Sequence, residues 1–467
     1  YQEEVRDPSR MAEVLNRVIE KAFRGSAPAQ INIPRDFWTQ VIDIELPPIV
    51  RFERQGGGKD AIDKASKLLS EAKFPVILSG AGVVIGDAIE ECKKLAEKLD
   101  APVCNGYQHN DSFPGSHPMA VGPLGYNGSK AGMELISKAD VVLALGTRLN
   151  PFSTLPGYGI DYWPKDATII QVDMNPDRIG LTKKVTVGIC GDAKMVSQQI
   201  LEKLSSTAGD KGREERKNLI HQTKSAWLQT LTSLDHEDDD PGTVWNKEAR
   251  ERDSDRMSPR QAWRAIQAGM PEDVIISSDI GNNCAIGNAY PTFEKPRKYL
   301  APGLFGPCGY GFPSILGAKI GCPETPVIGF AGDGAFGISM NEMSSCARKE
   351  WPSITMVIFR NYQWGAEKRN SILWFDDNFV GTELDPELSY AKVANACGLK
   401  GVTVKTMEET TKAIKQSCED QKNGVTTFIE VILNQELGEP FRRDAMKKPV
   451  QIAGINKDDM KPQKSIV

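Results

Sequence analysis

Apolar residues set out two rhythms along this chain. At the start, Met11, Val14, Leu15, Val18, Ile19 and Ala22 recur at helical spacing on one face, with Pro8 just ahead of them. A strand over Gln30–Ile33 follows. From about residue 59 to 205 helices alternate with strands. A helix over Asp60–Ala72 leads to a strand at Pro75–Ser79, and one over Ala88–Leu99 to a short strand at Pro102–Asn105. Further strands fall at Val141–Leu145, Thr168–Val172 and Thr186–Ile189. A second series runs from 258 to 433. Ser258 and Pro259 cap its first helix, Gly269 closes it, and strands follow at Val274–Ser278, Val327–Ala331, Ile354–Phe359 and Phe428–Leu433. This alternation predicts an α/β fold of successive doubly wound domains, each a parallel sheet with helices on both faces.

The remaining stretches divide the chain. Residues 1–50 hold one helix and one strand, too little for a core of their own, so they read as the end of an incomplete first domain. Gly56, Gly57 and Gly58 separate them from a unit at 59–205. Residues 206–257 read as a polar, solvated connector, with a helix near 212–233 and an acidic loop from His236 to Pro241. The unit at 258–433 is followed by a tail over 434–467, basic at Arg442, Arg443, Lys447 and Lys448.

Composition narrows the function. A length of 467 residues exceeds what one core serves, and a net charge of −5 argues against a nucleic-acid binder. No apolar run approaches the ~20 residues of a membrane span. The nine cysteines stand singly, which fits a reducing, cytoplasmic compartment better than a disulfide framework. The chain opens on Tyr1 without the basic and apolar pattern of a signal peptide.

The chemistry concentrates after the strand Val327–Ala331. Gly332-Asp333-Gly334-Ala335-Phe336-Gly337 follows it, then a helix over about Ser339–Lys349, the strand Ile354–Phe359, and Arg360-Asn361. A right-handed βαβ crossover brings Asp333 and Asn361 to the same carboxyl edge of the sheet, where ligands of open α/β sheets bind. A carboxylate and an amide oxygen are hard ligands suited to Mg²⁺, which completes its shell with phosphates and water. Glycines and a helix N-terminus let the backbone approach an anion. The residues by themselves therefore predict a Mg²⁺–phosphate site.

Gly332-Asp333-Gly334 followed by Asn361 resembles the signature of the thiamine-diphosphate enzymes, in which the Asp and Asn hold Mg²⁺. Arg360 stands where that pattern more often has a second asparagine. The resemblance implies thiamine diphosphate and Mg²⁺ as cofactors, with Asp333, Asn361 and the main-chain carbonyl of Gln363 as metal ligands. It implies Gly281, Asn282, Asn283, Gly332, Gly334 and Ala335 around the diphosphate, and Cys308 packed beneath the thiazolium ring as a small buried hydrophobe. It assigns 1–50 to the end of a pyrimidine-binding domain, 59–205 to a central domain and 258–433 to a diphosphate-binding domain. The family's catalytic Glu has no counterpart here, so the catalytic residue is unknown and the chain by itself is expected to be inactive. A homodimer or homotetramer is implied.

Longer segments sharpen the resemblance: Asn361 to Lys368, Gly106 to Pro114 and Asn434 to Met446. They are similar to the acetolactate-synthase-like branch that performs a desulfonating acetyl transfer, with sulfoacetaldehyde and phosphate as small-molecule substrates in sulfonate metabolism and taurine degradation. A sulfonate and a phosphate entering beside a diphosphate require cationic donors, and Arg360, Lys368, Arg369, Arg442 and Arg443 are the candidates. His109, in a Gly/Pro-rich loop, is a candidate proton donor. Gly80-Ala81-Gly82 with Gly86 superficially matches a dinucleotide fingerprint, but its spacing fits a structural turn better than a flavin or NAD site. The alternatives are a carboligase or 2-oxoacid decarboxylase with the same cofactor, a non-catalytic or split subunit, and a flavin oxidoreductase.

Overall fold

A computed structural model describes residues 1–48, 53–233, 251–303, 305–348, 350–368 and 380–436. Among these residues the strands form three parallel sheets. Strands β1 (Gln2–Glu4) and β2 (Gln30–Asn32) pair beside the helix Met11–Gly25, whose Val14 and Val18 pack with Val5 into a small core.

The second sheet holds β3 (Pro75–Ser79), β4 (Val103–Asn105), β5 (Ala120–Pro123), β6 (Val141–Leu145), β7 (Thr168–Asp173) and β8 (Val187–Cys190). Its order is β5-β4-β3-β6-β7-β8. The third holds β9 (Ile275–Ser278), β10 (Tyr299–Leu300), β11 (Val327–Gly332), β12 (Thr355–Arg360), β13 (Lys400–Val404) and β14 (Thr427–Ile432), in the order β10-β9-β11-β12-β14-β13. Every residue of β3, β6, β12 and β14 is buried, as strands covered by helices on both faces must be. Trp263 anchors the third core, with Phe330 and Phe359 at 4.7 and 5.4 Å between ring centres.

The expected strands agree with these to within a residue or two. Ser258 caps Pro259–Gly269 in a reciprocal capping box with Gln261. One helix differs. Instead of Ser339–Lys349, a short helix begins directly at Asp333 and ends at Ser339, then a 3₁₀ turn at Met340–Glu342 precedes Met343–Cys346. The Ser339 hydroxyl, at the end of the short helix, donates to the Gly309 carbonyl at 3.0 Å. Short strands β1, β5, β10 and β13 carry too few apolar residues to announce themselves.

The connector is docked rather than solvated. Its helix Arg213–Ser233 buries Ile220 and Trp227. Arg216, 1 % exposed, donates to the carbonyls of Asp100, Lys73, Lys211, Leu99 and Gly209 at 2.6 to 2.9 Å. Two of those carbonyls end the helix Ile89–Leu99, where a cation is favoured by the helix dipole. The acidic loop from His236 to Pro241 lies outside the described residues. Arg216→Met should cost about 3–5 kcal/mol of stability, because several carbonyls lose charged donors together. Urea unfolding checks this, and a loss below about 1 kcal/mol would show that water replaces the guanidinium.

Candidate active site

β11 and β12 are neighbours in register, with Gly332 opposite Phe359, so the residues that follow them emerge side by side. Asp333 is 1 % exposed. Its Oδ2 accepts from the Asn361 and Tyr362 amides at 3.1 and 2.6 Å and from Arg360 Nη1 at 3.0 Å, while Oδ1 accepts from the Gly334 amide at 3.0 Å. The juxtaposition expected from the crossover is therefore present. Burial pushes Asp333 up to about 6, against the pull of Arg360 and the amides of Tyr362 and Gly334. The closeness at Gly334 is steric: a Cβ there would meet the Trp364 ring at 2.7 Å.

Arg360 is not the pocket cation that its charge suggested. It is 1 % exposed and lies behind the site. Its Nη2 donates to the carbonyls of Asp385 and Leu388, and its Nε sits 3.7 Å from Glu430. The guanidinium stacks on the Tyr362 and Tyr390 rings at 4.2 and 5.4 Å, and the Tyr390 hydroxyl donates to the Asp333 carbonyl at 2.8 Å. Glu430 and Tyr390 escaped the sequence reading. A glutamate inside the largely apolar strand Thr427–Ile432 was the available signal.

Two buried carboxyl groups, Asp333 and Glu430, thus share one guanidinium. The cluster is short of positive charge, and a divalent cation beside Asp333 would supply it. The Nδ2 of buried Asn361 has no hydrogen-bond partner among the described residues. Gln363 bridges Glu383, but the bridge uses the Tyr362 carbonyl and the Trp364 amide, which leaves the Gln363 carbonyl outside it. The Asp333 carboxylate, the Asn361 amide oxygen and the Gln363 carbonyl are hard oxygen ligands that fit a hexacoordinate Mg²⁺ which also binds phosphate oxygens.

The loops expected around a diphosphate lie at the same edge. Asp279 accepts from the amides of Ile280, Gly309 and Gly311 at 2.8, 3.1 and 2.7 Å, tying β9 to the 306–313 segment. Gly281 takes φ +141°, and the Asn283 carbonyl accepts from Trp263 Nε1 at 2.7 Å. Asn282, Asn283 and Ala335 are buried. Cys308 is exposed rather than a buried hydrophobe, and its thiol is raised by burial of its surroundings and by the carboxylates of Asp279 and Glu367. Lys368 is held by Glu383 at 2.6 Å. Arg369, Arg442 and Arg443 lie outside the described residues.

The loop carrying His109 docks the second sheet on the third. Asn110 donates to the carbonyls of Asn288 and Pro291, each at 2.9 Å, and Asp111 accepts from the Lys298 and Tyr299 amides at 3.0 and 3.3 Å. A cavity of about 740 Å³ opens between the two layers, lined by His109, Arg148, Arg178, Asp173 and Asp279 to Gly281. Asp333 and Asn361 do not line it. Burial, and then Arg148, push His109 down to about 4, so the ring is neutral at physiological pH and carries no extra proton to give.

A buried carboxylate and an amide at adjacent strand ends, beside glycine-rich loops of a doubly wound sheet, match the class of thiamine-diphosphate-binding α/β proteins. Residues 62–204 match the family described as "Thiamine pyrophosphate enzyme, central domain", and residues 279–431 match "Thiamine pyrophosphate enzyme, C-terminal TPP binding domain". The chain is 78 % identical over 464 residues to a "Probable sulfoacetaldehyde acetyltransferase" of Rhizobium meliloti (strain 1021), covering 99 % of this chain and 78 % of that protein. It is 73 % identical to the "Sulfoacetaldehyde acetyltransferase" of Roseovarius nubinhibens, covering 99 % of this chain and 77 % of the relative. A "Probable acetolactate synthase large subunit" of Methanocaldococcus jannaschii is 28 % identical, over 89 % of this chain and 68 % of that one. The crystal structure of benzoylformate decarboxylase from Polynucleobacter necessarius shares the fold, with a TM-score of 0.71 and 19 % identity over 93 % of this chain and 76 % of that one. The chain belongs to the sulfoacetaldehyde acetyltransferase family of thiamine pyrophosphate enzymes.

Two outcomes follow from the geometry. Arg360→Gln should lower the unfolding temperature and weaken uptake of Mg²⁺ and thiamine diphosphate, because it strands Asp333 and Glu430. A thermal-shift titration with and without the cofactors reads both, and an unchanged midpoint would refute the clamp. For His109, the unfolded ring titrates near 6.5 and the native one near 4. Between those values only the unfolded chain holds the proton, so stability is lost as pH falls from about 6.5 to about 4. His109→Asn should flatten that decline in urea midpoints taken between pH 7 and pH 4.5, whereas an unaltered slope would put the ring in bulk solvent.

Proposed function

We propose that this protein converts sulfoacetaldehyde and inorganic phosphate into acetyl phosphate and sulfite, with thiamine diphosphate and Mg²⁺ as cofactors. The reaction balances internally. The aldehyde carbon rises to the acyl level while its neighbour loses sulfite and becomes a methyl group, and a phosphate oxygen forms the new C–O bond. The observation that carries the reading is the contact between the Asp333 carboxylate and the amides of Asn361 and Tyr362, which forms a buried acidic seat at the sheet edge.

Asp333, the Asn361 side chain and the Gln363 carbonyl would hold the metal. Gly281, Asn282, Asn283, Gly332, Gly334 and Ala335 would surround the diphosphate. Thiamine diphosphate, when bound, supplies a nucleophilic carbon that adds to an aldehyde and stabilises negative charge on it. The chain's own contribution is orientation: Arg360 and Tyr390 fix Asp333, and Asp279 fixes the 306–313 loop. We assign 1–50, 59–205 and 258–433 to the end of a pyrimidine-binding domain, a central domain and a diphosphate-binding domain. A homodimer or homotetramer in the cytoplasm fits this reading, and no helix among the described residues is long and apolar enough to cross a membrane.

Much lower identity to acetolactate synthase than to the acetyltransferases disfavours the carboligase reading. The test is a paired assay with Mg²⁺ and thiamine diphosphate on the chain joined to a complete pyrimidine-binding domain, which would supply the catalytic glutamate. Sulfite release matched by acetyl phosphate from sulfoacetaldehyde is the expected outcome. Carbon dioxide from pyruvate without sulfite from sulfoacetaldehyde would reverse the assignment.

A further inference from the structure

The order of the second sheet reverses direction at β3, whose neighbours are β4 on one side and β6 on the other. The loops after β3 and β6 therefore part company at a topological switch point, the place where open α/β sheets take ligands. The glycines of the first loop do not serve that purpose. A Cβ on Gly80 would lie 2.6 Å from the Gly146 carbonyl oxygen, and one on Gly82 2.6 Å from the Gly146 Cα. They let the two loops touch backbone to backbone. Two residues beyond Gly146, Arg148 lines the cavity between the sheets.

Among the described residues the Arg148 guanidinium makes no hydrogen bond, and no carboxylate lies within ion-pair distance of it or of Arg178. Arg178 is itself held in place, with Nη2 donating to the Gly25 and Ser26 carbonyls at 3.2 and 3.3 Å. Both arginines line the same cavity and repel each other, offset in part by Asp173. The acids of the wall are otherwise occupied: Asp173 accepts from the Asn175 amide at 2.9 Å, and Asp279 from three amides. Two half-buried guanidinium groups facing one space, one held by backbone carbonyls and neither in an ion pair among the described residues, are suited to a tetrahedral oxyanion.

We propose that Arg148, backed by Arg178, binds the inorganic phosphate that accepts the acetyl group. This rests on the reaction of the preceding subsection. Phosphate carries up to two negative charges near neutral pH and a sulfonate one, so a pair of guanidinium groups matches phosphate better. The cavity wall continues to Ile280 and Gly281, the segment assigned to the cofactor diphosphate, so an anion held there has a route toward the reacting carbon.

The experiment uses the enzyme with a complete pyrimidine-binding domain, loaded with Mg²⁺ and thiamine diphosphate, and compares wild type with Arg148→Gln, Arg148→Lys and Arg178→Gln. Arg148→Gln should raise KM for phosphate at least tenfold, leave KM for sulfoacetaldehyde within twofold, and be partly rescued by the lysine. Arg178→Gln should give a smaller rise of the same kind. Equilibrium dialysis with labelled inorganic phosphate should show binding to wild type and its loss in Arg148→Gln, with unfolding midpoints confirming that the variants are folded. Equal phosphate binding and KM in all four proteins would overturn the proposal. So would a rise confined to KM for sulfoacetaldehyde, or Arg148-dependent binding of ADP without binding of phosphate. A wild type that makes no acetyl phosphate instead defeats the reaction, while the dialysis still reads Arg148 separately.

Discussion

One carboxylate organises the third sheet. Asp333 leaves β11 buried, with backbone amides on both oxygens and a guanidinium behind it. A buried carboxylate is costly unless satisfied, so Arg360 and the turn at Asn361–Tyr362 have to be where they are. Satisfying Arg360 in turn requires Glu430 in the next strand over, the carbonyls at Asp385 and Leu388, and the rings of Tyr362 and Tyr390. The requirement therefore spreads from the edge of the sheet into its middle. The seat stays acidic because one guanidinium serves two carboxyl groups.

Two straps keep that edge in register with its surroundings. The loop from Gly106 to Gly115 closes over residues 288–299, through Asn110, Asp111 and the Gly115 amide. The segment Asn434–Glu436 crosses the cofactor loops. The Gln435 carbonyl accepts from Gln363 at 3.0 Å, and Glu436 pairs with Arg260 at 2.8 Å, both nearly fully buried. A fixed cation and amide next to the metal loop limit how far that loop can relax, which favours a preorganised site. Both straps belong to segments whose sequence resembled the acetyltransferase branch, and the structure gives them a mechanical role in joining the layers.

The α/β alternation, most strand positions and the meeting of Asp333 with Asn361 were legible because they rest on local periodicity and one handedness rule. The Ser258 cap was legible for the same reason. What could not be read depends on pairings far apart in sequence. Nothing local says that Arg360 turns inward, since its partners come from Asp333, Asp385, Leu388 and Glu430. Nothing in a polar stretch says that Arg216 will find the carbonyls of Lys73, Leu99 and Asp100 on another layer. His109 was visible as a candidate, but its neutral state follows from burial and Arg148, which only the packing provides. Cys308 was expected inside because cysteines usually are, and its loop leaves it exposed.

The two large sheets share one plan yet present opposite charges at their ligand-bearing edges. The third sheet ends β11 in a carboxylate, and the second follows β6 with an arginine. Asp333 is fixed by donors from its own sheet, so its remaining demand is for a cation. Arg148 has its loop fixed by glycine contacts while its guanidinium is left for another partner, so its demand is for an anion. A metal-bound diphosphate answers the first demand and leaves negative charge over, which would repel a second anion close by. Placing a guanidinium pair across the cavity rather than at the metal loop lets an anionic acceptor approach without competing for Mg²⁺. Separation of the two charges by a cavity wall is consistent with the arginine beside Asp333, Arg360, being committed wholly to structure.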